Sequence, residues 1–249
     1  MMIADRQKEV WARLHTVTDP ELDEPVTDLK FVSEAEVGAD NRVRIGFRLP
    51  TYWCAANFSF LMADDMRRAV LDLPWVTGVD VTICEHMYAD KINDGLKQGL
   101  SFEETFGDEA DGDLDALRQV FLVKAFQRRQ AALLGHLTAQ RHEAGELTAL
   151  TLGGLDALAL NDEGAGLRAR YLERRAVAGP ARGADLAFVD ADGVRLQAET
   201  LGAYVRALRR INVNAEFNGA LCKGLLAVRF DMDTPLGQTP AATPEYAAP

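Results

Sequence analysis

Apolar residues at Val10, Leu14 and Val17 recur at helical spacing, so residues from about 5 to 17 read as an amphipathic helix. "TDPEL" ends it, because Pro20 disfavours helical geometry at Asp19. Residues 29–37 and 42–49 read as a hairpin around "GADN". In its second strand Val43, Ile45, Phe47 and Leu49 face one way while Arg42, Arg44 and Arg48 face the other. From Asn57 the period changes: Phe58, Leu61, Met62, Met66, Ala69, Val70 and Leu73 share one helical face, and Pro74 stops that helix. "WVTGVDVTICEH" is a further alternating strand, with Val79, Val81 and Ile83 against Asp80, Thr82 and Cys84. A short helix near Asp90–Gln98 ends at Gly99, suited to a left-handed cap. The first hundred residues therefore predict helix, strand, strand, helix, strand, helix, a small α+β unit.

Beyond residue 100 the pattern loosens. The acidic stretch "GDEADGD" leads into a long helix from about Leu114 to Arg141, with Leu117, Phe121, Ala125, Leu133, Leu134 and Leu137 as its apolar positions. "TLGGLDALALNDEGAG" is Gly-rich and reads as mostly loop. "RARYLERR", "ADLAFVDADGVRLQ" and "LLAVRF" have strand character, with Asp192-Gly193 at a hairpin turn, and "ETLGAYVRALRRI" reads as a helix. The expected layout is a unit at 1–100, a mixed helical and β extension at 101–233, and a Pro-rich, disordered tail at 234–249.

Composition narrows the function. With 27 basic against 38 acidic residues the net charge is −11, which opposes binding along a phosphate backbone. No apolar run approaches the roughly 18–20 residues that a membrane span needs. The polar opening "MMIADRQKEVW" argues against secretion. The three cysteines, Cys54, Cys84 and Cys222, form no C-x-x-C pair and no disulfide framework, which fits reduced thiols in a cytoplasmic protein. No Gly-rich phosphate loop, G-x-S-x-G elbow or H-E-x-x-H motif is present, so no nucleotide cofactor is indicated.

The remaining chemistry is that of thiols. Cys54 falls between a strand end and the first turn of a helix, where free backbone N–H groups and the helix dipole both favour negative charge. A packing role for a small buried residue is the alternative. Cys84 and His86 are two apart on a strand, so their side chains are expected on one face, as two ligands for zinc or iron that Cys54 could complete. Asp19 and Glu21 flank Pro20 in a turn, suited either to turn chemistry or to placing carboxylates at the same end of the sheet as Cys54.

The order "VWARLHTVTDPELDEPVTDLKFV", an alternating strand, "LPTYWCAANFSFLMADDMRRAV" and "LPWVTGVDVTI" resembles the metal–sulfur cluster assembly domain, formerly "domain of unknown function fifty-nine", over about residues 6–86. Asp19, Pro20, Glu21, Leu22, Asp28, Leu29, Thr51 to Cys54 and Gly78 to Val81 carry the likeness. Lys30 and Ala55 depart from it, standing where such domains usually have glycine and proline. "EHMYADKINDGL" echoes an extension of the eukaryotic members. That family includes bacterial sulfur-mobilisation factors, a component of phenylacetate ring oxygenation and eukaryotic iron–sulfur targeting factors.

The resemblance implies that Cys54 is the reactive cysteine of a maturation factor. Such a factor would act as carrier or adaptor, holding a transient iron–sulfur cluster or a single iron or zinc for a client metalloprotein or for the iron–sulfur assembly machinery. Three cysteines cannot enclose a four-thiolate cluster, so a cluster would be shared across a homodimer, completed by His86 or a client, or held only in passing. Two other readings remain open: an assembly partner of a multicomponent oxygenase, such as a di-iron one, with no metal role of its own, and an enzyme with Cys54 as nucleophile. The second has only His15, His86, His136 and His142 as candidate bases.

Overall fold

A computed structural model describes residues 3–110 and 113–230; the expected tail at 234–249 lies outside them. The first helix, α1 (Ile3–Leu14), buries Val10 and Leu14 completely. Strands β1 (Val32–Val37) and β2 (Arg42–Arg48) pair antiparallel, with Val37 opposite Val43 and Ala35 opposite Ile45. Helix α2 (Ala56–Leu71) then crosses to β3 (Gly78–Cys84), which runs parallel to β2 with Ile45 opposite Val81 and Phe47 opposite Ile83. The sheet order is β1-β2-β3.

Alternation decides the two faces. Val43, Ile45, Phe47, Val81 and Ile83 enter the core, joined there by Phe60, Met62, Met66 and Val70 of α2. Arg42, Arg44, Asp80, Thr82 and Cys84 line the outer face, where Arg42 pairs with Asp80 at 2.9 Å and Arg44 with Glu36 at 3.0 Å. Helix α3 (Ala89–Gln98) closes the free edge of β3: the Asn93 amide accepts from Ile83 N at 2.8 Å and donates to Ile83 O at 3.1 Å, as a neighbouring strand would. Gly99 caps α3 at φ 71°. The α+β unit expected from the sequence is present, element for element.

The extension differs from expectation. After the short α4 (Phe102–Phe106) and the long α5 (Leu114–Ala139) come α6 (Ala144–Ala149), α7 (Leu152–Ala157), α8 (Asp162–Arg175) and α9 (Leu201–Arg229). The Gly-rich stretch read as loop is largely helical, because Thr151 and Asn161 cap α7 and α8 through their side chains. "RARYLERR" lies in α8 and "LLAVRF" in the last turns of α9. Of the strands expected in the extension, only "ADLAFVDADGVRLQ" keeps any pairing, an isolated Leu186–Thr151 bridge and an isolated Val189–Arg195 bridge around Asp192-Gly193, with Gly193 at φ 79°.

Two cores result. The second gathers Phe126, Leu133, Leu134, Leu137, Tyr171 and Phe188, with Leu201 and Val205 from the start of α9. The first runs past residue 100 to include Phe102 and Phe106, and the far end of α9 returns to it through Leu226, which is 1% exposed. α5 joins the two units as well: Phe121 packs edge-on against Phe58 at 5.0 Å, and Arg118 pairs with Asp65 at 2.7 Å.

Lys30, which stands where the domains it resembles usually carry glycine, sits at φ 58°, in the left-handed region that strains an L side chain. Lys30→Gly is expected to raise stability by about 0.5–1 kcal/mol, since relief of that strain outweighs the extra chain entropy; urea titrations of the two proteins measure the difference.

Candidate functional site

The acidic turn "TDPELDEP" is a closed loop. Thr18 and Pro25 bridge its base, Asp19 N donates to Glu24 O at 2.9 Å, and Asp23 N donates to Asp19 O at 2.8 Å. Pro20 starts the reversal, and the Asp19 carboxylate stabilises it by accepting from Glu21 N (2.9 Å) and Leu22 N (2.8 Å). Asp19 is itself buried, and burial pushes its carboxyl up to about 6 despite the two backbone donors.

The extension grips this turn. Asp23, at φ 53° and 4% exposed, receives two hydrogen bonds from the Arg129 guanidinium, Nη2 to Oδ1 at 2.8 Å and Nε to Oδ2. Arg174 of α8 reaches Asp23 and Thr18, both at 3.3 Å. Arg128 donates to Glu21 O at 2.6 Å, and burial lowers its own proton affinity. From α9, Asn218 donates to Glu21 Oε1 at 3.0 Å and Lys223 pairs with Glu24. Glu21 is therefore bound from two sides by residues outside the turn. Sequence reasoning missed Asp23, Arg128, Arg129, Arg174 and Asn218; the available signal was a run of acids in one segment facing "QRRQ" in another.

Cys54 lies on an arch between β2 and α2, two residues before the first residue of the helix. Its thiol is half-buried, with Sγ 3.1 Å from Thr51 Oγ1. His86 holds the arch from below: its Nε2 donates to Cys54 O at 2.8 Å, and its Nδ1 accepts from Tyr88 N at 3.2 Å. These partners make His86 the neutral Nε2–H tautomer with both ring nitrogens occupied. Burial lowers its pKa, with Arg229 adding to the effect and the bond to Cys54 opposing it. Met87 N donates to Tyr52 O at 2.8 Å, tying the arch to the segment after β3. Tyr52, Trp53 and Met87 stand exposed around it, Trp53 by 73%, with the Tyr52 and Trp53 rings edge to face at 5.7 Å.

The expected pairing of Cys84 with His86 on one strand face does not occur. β3 ends at Cys84, and Glu85 takes φ 51°, which breaks the alternation. Cys84 is left exposed on the outer sheet face while His86 turns inward and is 4% exposed. Among the described residues no group of three His, Cys, Asp or Glu side chains is arranged to hold a metal ion. Cys222 of α9 is half-buried against the first core; burial is the largest influence on its thiol and raises it to about 11, with Asp19, Cys54 and Glu21 acting in the same direction.

Residues 7–81 match the model of a family described as iron–sulfur cluster assembly protein. The match starts in α1, includes the acidic turn and the Cys54 arch, and ends within β3. It supports the resemblance seen in the sequence over the same stretch. No curated protein matches the chain.

Asp19 gives the site a pH signature. Its carboxyl ionises near 3.8 when unfolded and near 6 when folded, so between those values only the folded state keeps the proton. Folding stability contributed by this group is complete below pH 3.8 and is lost as pH rises through 6. Asp19→Asn keeps the acceptor for both backbone amides and removes the charge. It should be more stable than the parent by about 1–3 kcal/mol at pH 7, with the gap closing toward pH 4 in denaturant titrations at each pH. Asp23→Ala should act oppositely, costing about 3–5 kcal/mol because Arg129 loses its buried partner; the same titrations at pH 7 read it.

Proposed function

We propose that the iron–sulfur cluster assembly domain of residues 7–81 works through Cys54, as a carrier or adaptor that passes a cluster, or the iron for one, to a client metalloprotein. One observation carries this reading: within the matched segment, Cys54 sits on an arch ringed by exposed aromatic and thioether side chains. A thiol alone could be packing. A thiol beside exposed Tyr52, Trp53 and Met87 has the composition that protein–protein contacts favour, with large side chains that bury much area at little entropic cost. The positive end of the α2 dipole, which begins two residues past Cys54, suits the negative charge of a thiolate-bound cluster.

His86 supports a carrier over a cysteine nucleophile. Both its ring nitrogens are engaged, one with the Cys54 carbonyl and one with the Tyr88 amide, so it holds the arch in place and is not poised to take the thiol proton. In this reading the metal-facing residue is Cys54, and Asp19, Pro20 and Glu21 build the turn through which the extension attaches. The three free thiols suit a reducing compartment, and we place the protein in the cytoplasm on that ground. No helix among the described residues is long and apolar enough to cross a membrane.

The test is anaerobic cluster reconstitution followed by transfer to an apo-ferredoxin acceptor, read by the acceptor's visible absorption. Cys54→Ala should fold as the parent does, by circular dichroism and thermal melting, and should reduce transfer to the rate of free iron and sulfide. Transfer at the parent rate by Cys54→Ala would refute the assignment.

A further inference from the structure

Beside the acidic turn, between it and helices α5 and α8, lies a cleft of about 900 Å³. Four arginines line it: Arg128 and Arg129 from α5, and Arg170 and Arg174, one helical turn apart on α8. Such a cluster needs a cause in a chain of net charge −11, and the grip on Asp23 accounts for only part of it. Arg129 is engaged through all of its nitrogens, by both Asp23 oxygens, by Glu173 and by Arg170 O. Arg174 merely shares Asp23 with it, from Nη2 at 3.3 Å. Arg128 donates to a backbone carbonyl, that of Glu21, and pairs with no carboxylate among the described residues. The exposed side chain of Arg170 has no partner among them at all. The other acids at the rim are engaged elsewhere, Glu24 by Lys223 of α9 and Asp28 by His15 at 3.3 Å. Arg128 Nη2 and Arg174 Nε, moreover, are buried without a hydrogen-bond acceptor among the described residues, a state that folded proteins avoid because a desolvated N–H left unpaired is costly.

We propose that this cleft binds a small organic oxyanion carrying at least two negative charges, held by Arg128, Arg170 and Arg174. The charge follows from the pairing: Arg128 and Arg170 have no counter-ion, and Arg174 has half of one. Guanidinium forks pair with carboxylate and phosphate oxygens alike, so a polycarboxylate and a phosphate ester offer the same chemistry here. Burial weakens the hold of Arg128 on its proton, and a negative charge alongside would restore it. Leu22, Pro25 and Leu167 line the rest of the cleft and give a carbon frame an apolar wall, and the volume is that of a small-molecule site. The site shares no residue with the Cys54 arch and involves no cluster, so it does not depend on the carrier reading. Its ligand would bridge the turn of the matched domain to two helices of the extension.

Titration calorimetry on the full chain at fixed ionic strength tests the site, with citrate and glycerol 2-phosphate as probes and acetate as the singly charged control. At least one probe should bind once per chain, at least ten-fold more tightly than acetate, and should raise the melting temperature; which of them does so identifies the source of the oxyanion. Arg170→Ala removes a side chain without partners, so the free variant should melt as the parent does while its affinity for that probe falls at least ten-fold. Arg170→Lys, which keeps the charge but not the fork, should recover part of the loss. Arg182→Ala removes the same charge from an exposed loop outside the cleft and should bind as the parent does. Failure of both probes to outbind acetate would overturn the proposal. So would parental affinity in Arg170→Ala, or equal weakening by Arg170→Ala and Arg182→Ala, which would reduce the effect to overall charge.

Discussion

The buried ion pair between Asp23 and Arg129 determines how the rest of the molecule is arranged. Both side chains are about 95% removed from solvent, and neither charge could be left there alone, because desolvating an isolated ion costs several kcal/mol. The guanidinium fork matches both carboxylate oxygens, and its remaining Nη1 is satisfied by Arg170 O and Glu173 at 2.6 Å each. A pair this demanding of geometry fixes the turn against α5 and α8 in one orientation. That orientation sets Glu21 between Arg128 and Asn218, and the second contact directs the last turns of α9 toward the Cys54 arch. The ion pair is therefore less a source of stability than a device of registry, which is the best-attested use of such pairs.

The first unit was legible because its two periods are clean. Val43, Ile45 and Phe47 alternate without interruption, and α2 carries its apolar residues at helical spacing until Pro74. The extension was less legible where apolar runs are short. "LLAVRF" suits a strand or a buried helix equally on periodicity alone, and tertiary packing against the first core decided for the helix. Between Thr151 and Gly166 the glycines suggested loop, but two well-placed N-caps and the burial of Tyr171 further along α8 outweighed the low propensity of Gly153, Gly154, Gly164 and Gly166.

The site divides the same way. Cys54 could be placed from sequence because strand, turn and helix follow one another locally. The relation of Cys84 to His86 could not, since it turned on the left-handed backbone of Glu85, a residue type that gives little warning of that conformation. The position of Cys222 could not be read either, since it depends on α9 returning to the first core through Leu226. Asp23 looked like one more solvated acid in an acidic turn until its arginine partners were seen.

The path of α9 has a consequence for how the protein comes into being. A chain is made from its N-terminus, and domains generally fold as they emerge. Here the first core includes Leu226 and packs against Phe230, so it stays open until almost the whole described chain has left the ribosome. The thiol of Cys54 is therefore made early and its surroundings last. During that interval the arch lacks its helical neighbour, and the nascent unit is one that a chaperone or a docked partner could meet in a form the finished protein never shows.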